Sequence, residues 1–347
     1  MTIRPVTIFS AISRRAVLRG LRSASSIVVP ALALGGCASL ASVDGARDDA
    51  RADASSVSAS RSLLVATTRK PVEGAREQPW FGTQRWAMSI ARAQLTPPDS
   101  GRFSLAAVGL ADWALDRVDL MGQSASALAQ ATSGRDVLIY VHGFNQTFET
   151  AVLDGARLSD GIGFHGETIV FAWPSRAKLL DYGYDRDSAM WSRDSLHAVL
   201  DALLASPTTG RINIVAHSVG SMLAMEALRQ LYAERGGLAG DRIGALVFAA
   251  PDIDMDVFTS SVEHIGPLAG KITVITSTND RALALSGWMS GGMTRVGAAE
   301  KNKLKLFGVH VVDASEEGWG IINHDLFLSN EQIRGVIRQV IATAASP

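Results

Sequence analysis

The pentapeptide Ala216-His217-Ser218-Val219-Gly220 sits between an apolar run, Arg211–Val215, and a segment with apolar residues at helical spacing. Leu223, Ala224, Ala227, Leu228 and Leu231 supply that spacing. A serine at such a strand-to-helix corner can act as a nucleophile. The turn lifts its hydroxyl clear of the sheet, and it is tight enough to demand small residues two before and two after, which Ala216 and Gly220 are. It also aims the amide of Val219 at a point where a reacting carbonyl oxygen would gather charge, at a helix N-terminus. The chemistry this permits is acyl transfer. The competing reading is a serine that only caps the helix.

A reactive serine needs a base and a carboxylate to orient that base. Lys271–Thr276 is rich in strand formers and leads into Ser277-Thr278-Asn279-Asp280. Gly308–Val312 is a second such run, and the next histidine after it is His324. Serine, carboxylate and histidine thus follow one another, each beyond a strand, with Asp280 and His324 as the candidates. Asp252, just after the run Ile243–Ala249, is the alternative acid. A second oxyanion donor is expected after Arg135–Val141, where His142-Gly143-Phe144-Asn145 follows. Gly143 permits close backbone approach and the Phe144 amide is the candidate donor. His142 and His217 read as structural residues.

From about Leu63 onward the chain resembles the α/β-hydrolase superfamily, and in detail a bacterial branch catalogued as domain of unknown function 900. The resemblance rests on Val65-Ala-Thr-Thr-Arg69, Tyr140-Val-His-Gly-Phe-Asn145 and Phe171-Ala-Trp-Pro-Ser175. It continues through Ala216–Gly220, Ala250-Pro-Asp252, Asn279-Asp-Arg-Ala-Leu283 and Asn323-His324. It implies an esterase- or lipase-like serine hydrolase, with Ser218, Asp280 and His324 as the triad and no particular substrate. Ala216 stands where glycine is usual and Val219 where methionine is familiar. Neither change touches the backbone amide that does the work.

The elements needed to position these residues follow from pattern. Leu63–Thr67 and Trp86–Gln94 predict an N-terminal antiparallel hairpin, with another edge strand within Phe103–Val118. From Asp136 strands alternate with helices: helix near Phe148–Leu158, strand Thr168–Trp173, one long helix near Ser188–Leu204, then the serine corner. Ile243–Ala249, Ile272–Thr276 and Val309–Val312 supply later strands, and Asn330–Ala344 a closing helix. The fold class is α/β, a mostly parallel sheet with helices on both faces. A 47% hydrophobic content supports one large domain over 61–347, and a net charge of −1 gives no reason to expect nucleic acid.

The one cysteine, Cys37, excludes an intrachain disulfide and a thiolate zinc cluster. Ser13-Arg14-Arg15-Ala16-Val17-Leu18-Arg19 resembles a twin-arginine export signal, and Leu34-Gly35-Gly36-Cys37 a lipoprotein box. Residues 1–37 are then an export signal, Cys37 the lipidated residue, and 38–60 a flexible tether. The expected product is a bacterial lipoprotein anchored at the membrane and facing the periplasm or cell surface. The alternative for this segment is a plain membrane anchor, which Pro30 and the glycines disfavour. Asp252, Asp254, Asp256 and Glu263 imitate a calcium loop, but Val257 stands where glycine is required, so a solvated acidic turn is expected. No cofactor or metal is expected.

Substrate features are sparser. Trp173 is a candidate cleft wall, and Leu283–Thr294 a candidate apolar flap through Trp288 and Met289, its leucines being ordinary core. The partner is a small ester or lipid-like molecule. Two readings compete: a hydrolase fold kept as a non-catalytic surface lipoprotein, and an amidase, thioesterase or acyltransferase using the same triad.

Overall fold

The computed structural model describes residues 61–72, 79–98, 112–289, 294–299, 304, 307–316 and 326–345, all within the unit Ser56–Pro347. Cys37, the signal and tether segments, and His324 lie outside them, as do the side chains of Trp288 and Met289. The strands are β1 (Arg61–Pro71), β2 (Phe81–Thr96), β3 (Ala114–Gly122), β4 (Val137–Val141), β5 (Glu167–Ala172), β6 (Ile212–His217), β7 (Ile243–Ala249), β8 (Ile272–Thr276) and β9 (His310–Asp313). They form one sheet in the order β3-β2-β1-β5-β4-β6-β7-β8-β9. β2 pairs antiparallel with both β1 and β3, while every neighbouring pair from β1 to β9 is parallel.

The central strands are mostly apolar because both faces are covered. Along β4 the side chains alternate. Val137, Ile139 and Val141 enter one core, while Leu138 and Tyr140 enter the other. The first core is closed by α1 (Ser126–Ala131), α3 (Tyr182–Trp191), α4 (Arg193–Ala205), α5 (Val219–Arg235), α6 (Gly237–Arg242) and α7 (Met255–Glu263). The second is closed by α2 (Phe148–Gly161), with α9 (Leu326–Ser329) and α10 (Glu331–Ala345). α8 (Arg281–Met289) follows β8.

The expected single helix near Ser188–Leu204 is two helices meeting at Ser192. That side chain donates to the Ser188 carbonyl (2.8 Å) and shares a hydrogen bond with Thr68 at the end of β1 (2.9 Å). The junction is thereby tied to an interior strand of the sheet. A serine answering the backbone four residues earlier is a known disturbance of helical regularity.

Connectivity fixes where a site can lie. β4 leads through α2 to β5 on one side, and β6 leads through α5 to β7 on the other, the two helices covering opposite faces. Chains leaving adjacent parallel strands in opposite directions open a crevice at the carboxyl ends of those strands. Here that is the meeting of His142-Gly143 with Ser218.

Candidate active site

Ser218 lies between β6 and α5 with φ 53° and ψ −122°, a backbone conformation strained for any residue but glycine. Main-chain bonds hold it there. Its N–H donates to the Ala249 carbonyl (3.0 Å), and its own carbonyl accepts from the amides of Asp252 (3.1 Å) and Ser221 (3.0 Å). The smallness of Gly220 has a concrete cause: a Cβ there would lie 2.3 Å from the His142 carbonyl oxygen and 2.6 Å from that of Val141. Val219 opens α5, so its amide has no carbonyl one helical turn back and points to the crevice end of the helix dipole.

The opposite wall is the loop after β4. A Cβ on Gly143 would stand 3.0 Å from the Ser218 Cβ and 2.8 Å from His217 Nδ1, so glycine is what lets this backbone approach the nucleophile. His142 is fully buried and stacks on the Trp173 ring, with centroids 4.6 Å apart and planes 10° from parallel. Its Nδ1 lies 2.8 Å from the Gly143 carbonyl oxygen and its Nε2 3.1 Å from that of Trp173, while the Trp173 indole donates to the His142 carbonyl (2.8 Å). Burial, with lesser contributions from the charges of Arg69 and His217, lowers its pKa to about 3. Burial outweighs the two carbonyl contacts, so the imidazole is neutral at physiological pH and only one of its two nitrogens donates to its carbonyl. It braces the loop rather than shuttling protons. Trp173, expected as a cleft wall, is itself fully buried and supports that loop from behind. The Phe144 ring packs edge-on against Tyr182, 5.4 Å between centroids.

On the acid side, Asp280 lies in the loop after β8, 2% exposed, and its Oδ1 accepts from the Leu283 amide (3.0 Å) at the start of α8. That loop is stitched to the one after β9: the Thr278 amide donates to Ser315 Oγ (2.9 Å) and the Asn279 side-chain amide to the Ser315 carbonyl (2.9 Å). Asp252 is differently employed. It pairs with the buried Arg295 guanidinium (3.0 Å) and accepts from the hydroxyls of Tyr182 (2.7 Å) and Ser286 (2.8 Å). Burial, then the Asp252 charge, raise the Tyr182 pKa to about 12, which keeps that hydroxyl a donor. The expected solvated acidic turn is thus corrected: Asp252 is 3% exposed and neutralised by a partner distant in sequence. Asp254 instead caps α7, accepting from the amides of Asp256 (3.0 Å) and Val257 (3.3 Å).

Backbone strain marks the same place. Among the described residues the non-glycine positions with positive φ are Asn145 (63°), Ala177 (53°), Ser218 (53°) and Ala250 (44°). They follow β4, β5, β6 and β7 in turn, at one edge of the sheet. Each such residue costs on the order of 1–3 kcal/mol and persists only where its surroundings enforce it. The family model described as an alpha/beta hydrolase of unknown function (DUF900) matches residues 123–343, which hold every candidate catalytic, oxyanion and substrate-binding residue. The chain belongs to this family. An uncharacterized protein of Nostoc, alr1448, is 26% identical over 122 residues, covering 28% of this chain and 32% of that protein. The match therefore spans about a third of that relative's length. Among solved structures, the Pyrobaculum calidifontis esterase is 14% identical, covering 82% of this chain and 85% of its own, at a TM-score of 0.35. Est1E from Butyrivibrio proteoclasticus is also 14% identical, covering 73% and 96%, at 0.38.

In this α/β hydrolase the structure brings Ser218, Val219, Gly143, Phe144 and Asp280 to the crevice edge of the sheet. The proposed flap is helical over Arg281–Met289, and Leu283 is core, 1% exposed. Arg69, Asp185 and Ser175 had no role assigned from sequence. Arg69, 1% exposed, donates to the carbonyls of Gln146 (2.8 Å), Ser175 (3.0 Å) and Gly82 (3.4 Å). Burial lowers its pKa to about 10, still charged at neutral pH. Asp185 on α3 accepts from Ser175 Oγ and the Arg176 amide (2.8 Å), with a longer bond from the Asn145 amide (3.4 Å). Burial raises the Asp185 pKa. The one available signal was a charged residue, Arg69, terminating the apolar strand Leu63–Thr67.

Proposed function

We propose that this protein is a serine hydrolase that cleaves carboxylic esters through an acyl-enzyme. The observation that carries the reading is the strained, main-chain-locked Ser218 with Gly143 packed against its Cβ. Ser218 Oγ attacks the ester carbonyl as His324 takes its proton. The amides of Val219 and Phe144 receive the charge on the oxygen, and Asp280 orients the imidazole and stabilises it when protonated. The tetrahedral intermediate collapses, the alcohol leaves with a proton from His324, and water then releases the acid by the same route. Asp280 is preferred to Asp252 because the latter is already committed to Arg295, Tyr182 and Ser286. His324 is favoured by Phe327, whose ring lies 4.7 Å from that of His217, next to the nucleophile.

An apolar acyl group is supported by the turn leading into α3, where Leu179 and Leu180 are 73% and 99% exposed beside Tyr182 at the crevice edge. The test is a chain-length series of 4-nitrophenyl esters with the wild type and Ser218→Ala, together with fluorophosphonate labelling. Serine-dependent release and labelling are expected. If every ester gives the same rate with both proteins and no label is taken up, the non-catalytic lipoprotein reading replaces this one. Hydrolysis of anilides or thioesters in preference to esters would instead move the assignment to an amidase or thioesterase. We further propose that the domain is exported and held to the membrane by lipid on Cys37. A Cys37→Ala variant that still partitions with membranes would refute that anchor.

A further inference from the structure

The Phe144 amide can receive an oxyanion only if a loop without regular structure is held still. Its neighbour Asn145 sits at positive φ, as does Ala177 in the next loop, after β5. Side chains from elsewhere tie down the amides of both residues. Asp185 Oδ2 accepts from Asn145 N (3.4 Å), and Ser175 Oγ accepts from Ala177 N (3.2 Å) and Gln146 N (3.1 Å). Ser175 Oγ in turn donates to Asp185, whose other oxygen takes the Arg176 amide (2.8 Å). The carbonyls of the two loops, at Gln146 and Ser175, converge on one guanidinium, that of Arg69 from the end of β1. An arginine alone presents a rigid fan of donors able to reach several acceptors from a single buried position.

We infer that Arg69, seconded by Asp185 and Ser175, is the positioning residue of the oxyanion site, fixing the Phe144 amide relative to Ser218. The inference rests on the ester-hydrolase reading above. Arg69 touches no reacting atom; it acts through the main chain of Gln146, two residues beyond the donor. A purely structural arginine would affect stability and substrate binding. A positioning arginine affects the transition state, because a displaced donor loses its hydrogen bond only when charge develops there.

The experiment measures kcat and KM on 4-nitrophenyl butyrate, affinity for an alkyl boronic acid that forms a tetrahedral adduct on serine, and thermal midpoint. The proteins are the wild type, Ser218→Ala, Arg69→Lys, Arg69→Met and Ser175→Ala. For Arg69→Met, kcat should fall by about a hundredfold with KM within about threefold, near the loss recorded when one oxyanion donor is removed. Boronate affinity should fall in parallel. Arg69→Lys should recover only part of this, since an ammonium cannot span both carbonyls. Ser175→Ala removes the peg on Gln146 N while leaving the buried cation in place. It serves if Arg69→Met does not fold, and should lower kcat by about tenfold, with a fall in melting that leaves the protein folded at the assay temperature. Folded variants with wild-type kcat and boronate affinity overturn the positioning role while leaving the hydrolase reading intact. A wild type no faster than Ser218→Ala sinks the hydrolase reading, and this role with it.

Discussion

His142 offers a quantitative test of how tightly the wall behind Ser218 is sealed. Its ring is fully buried and stacked on Trp173, and its pKa falls from 6.5 to about 3, chiefly through burial. In the unfolded chain it titrates near 6.5. Below that pH the unfolded state takes up a proton that the native state refuses. The stabilising contribution is therefore present above pH 6.5 and is lost as pH falls toward 3. The slope is about 1.4 kcal/mol per pH unit. Between neutrality and pH 4.5 the loss amounts to between about 2 and 3 kcal/mol, a large share of a typical domain's stability.

Carboxylates also titrate in this range, so the contribution of His142 must be isolated by difference. His142→Asn keeps a polar side chain of similar reach and cannot be protonated. Urea unfolding of both proteins at neutral pH and at about pH 4.5 gives two values of the stability difference between them. Whatever the substitution costs at neutral pH, the wild type's margin over the variant should shrink by about 2 to 3 kcal/mol on acidification. A margin constant within a few tenths of a kcal/mol would mean that the ring takes its proton in the native state as readily as in water. The enclosed, neutral brace would then be wrong, and with it the account of why the Gly143 loop holds its shape.

Three further outcomes follow from the geometry. Gly220→Ala places a methyl 2.3 Å from the His142 carbonyl oxygen, so it should lower stability by about 2 kcal/mol and depress turnover, read by urea unfolding and nitrophenyl ester hydrolysis. Asp280→Asn should reduce kcat by about 10⁴-fold, whereas Asp252→Asn, which strands the buried Arg295, should show mainly as a drop in melting temperature; the reverse pattern would exchange their roles. Replacing both Leu179 and Leu180 by serine should leave melting unchanged and reduce kcat/KM for long-chain esters more than for acetate, and a uniform effect across chain length would remove those leucines from the acyl site.

What the chain discloses unaided depends on how local the constraint is. A serine corner leaves a local trace because Gly220 must clear the carbonyls of Val141 and His142, and a parallel strand covered on both sides must be apolar from end to end, as Val137–Val141 is. The sheet and the candidate nucleophile were therefore legible. Asp252 was misread for the opposite reason. Its neighbours in sequence are acids, so it looks like a hydrated turn, yet the groups that settle its state are Tyr182, Ser286 and Arg295, from three other segments. The hardest case is Arg69. Its acceptors are main-chain carbonyls, and every residue has one, so no choice of side chain at Gln146 or Ser175 betrays the contact. The same holds for the bonds that lock Ser218, which run from its amide to Ala249 O and from Asp252 N to its carbonyl. Nucleophile types and spacings can thus be found from sequence, while the machinery that fixes them at strained dihedrals is written in backbone atoms and appears only when the chain is folded. An active site of this kind should tolerate changes at Gln146 that spare its carbonyl and resist almost any change at Arg69.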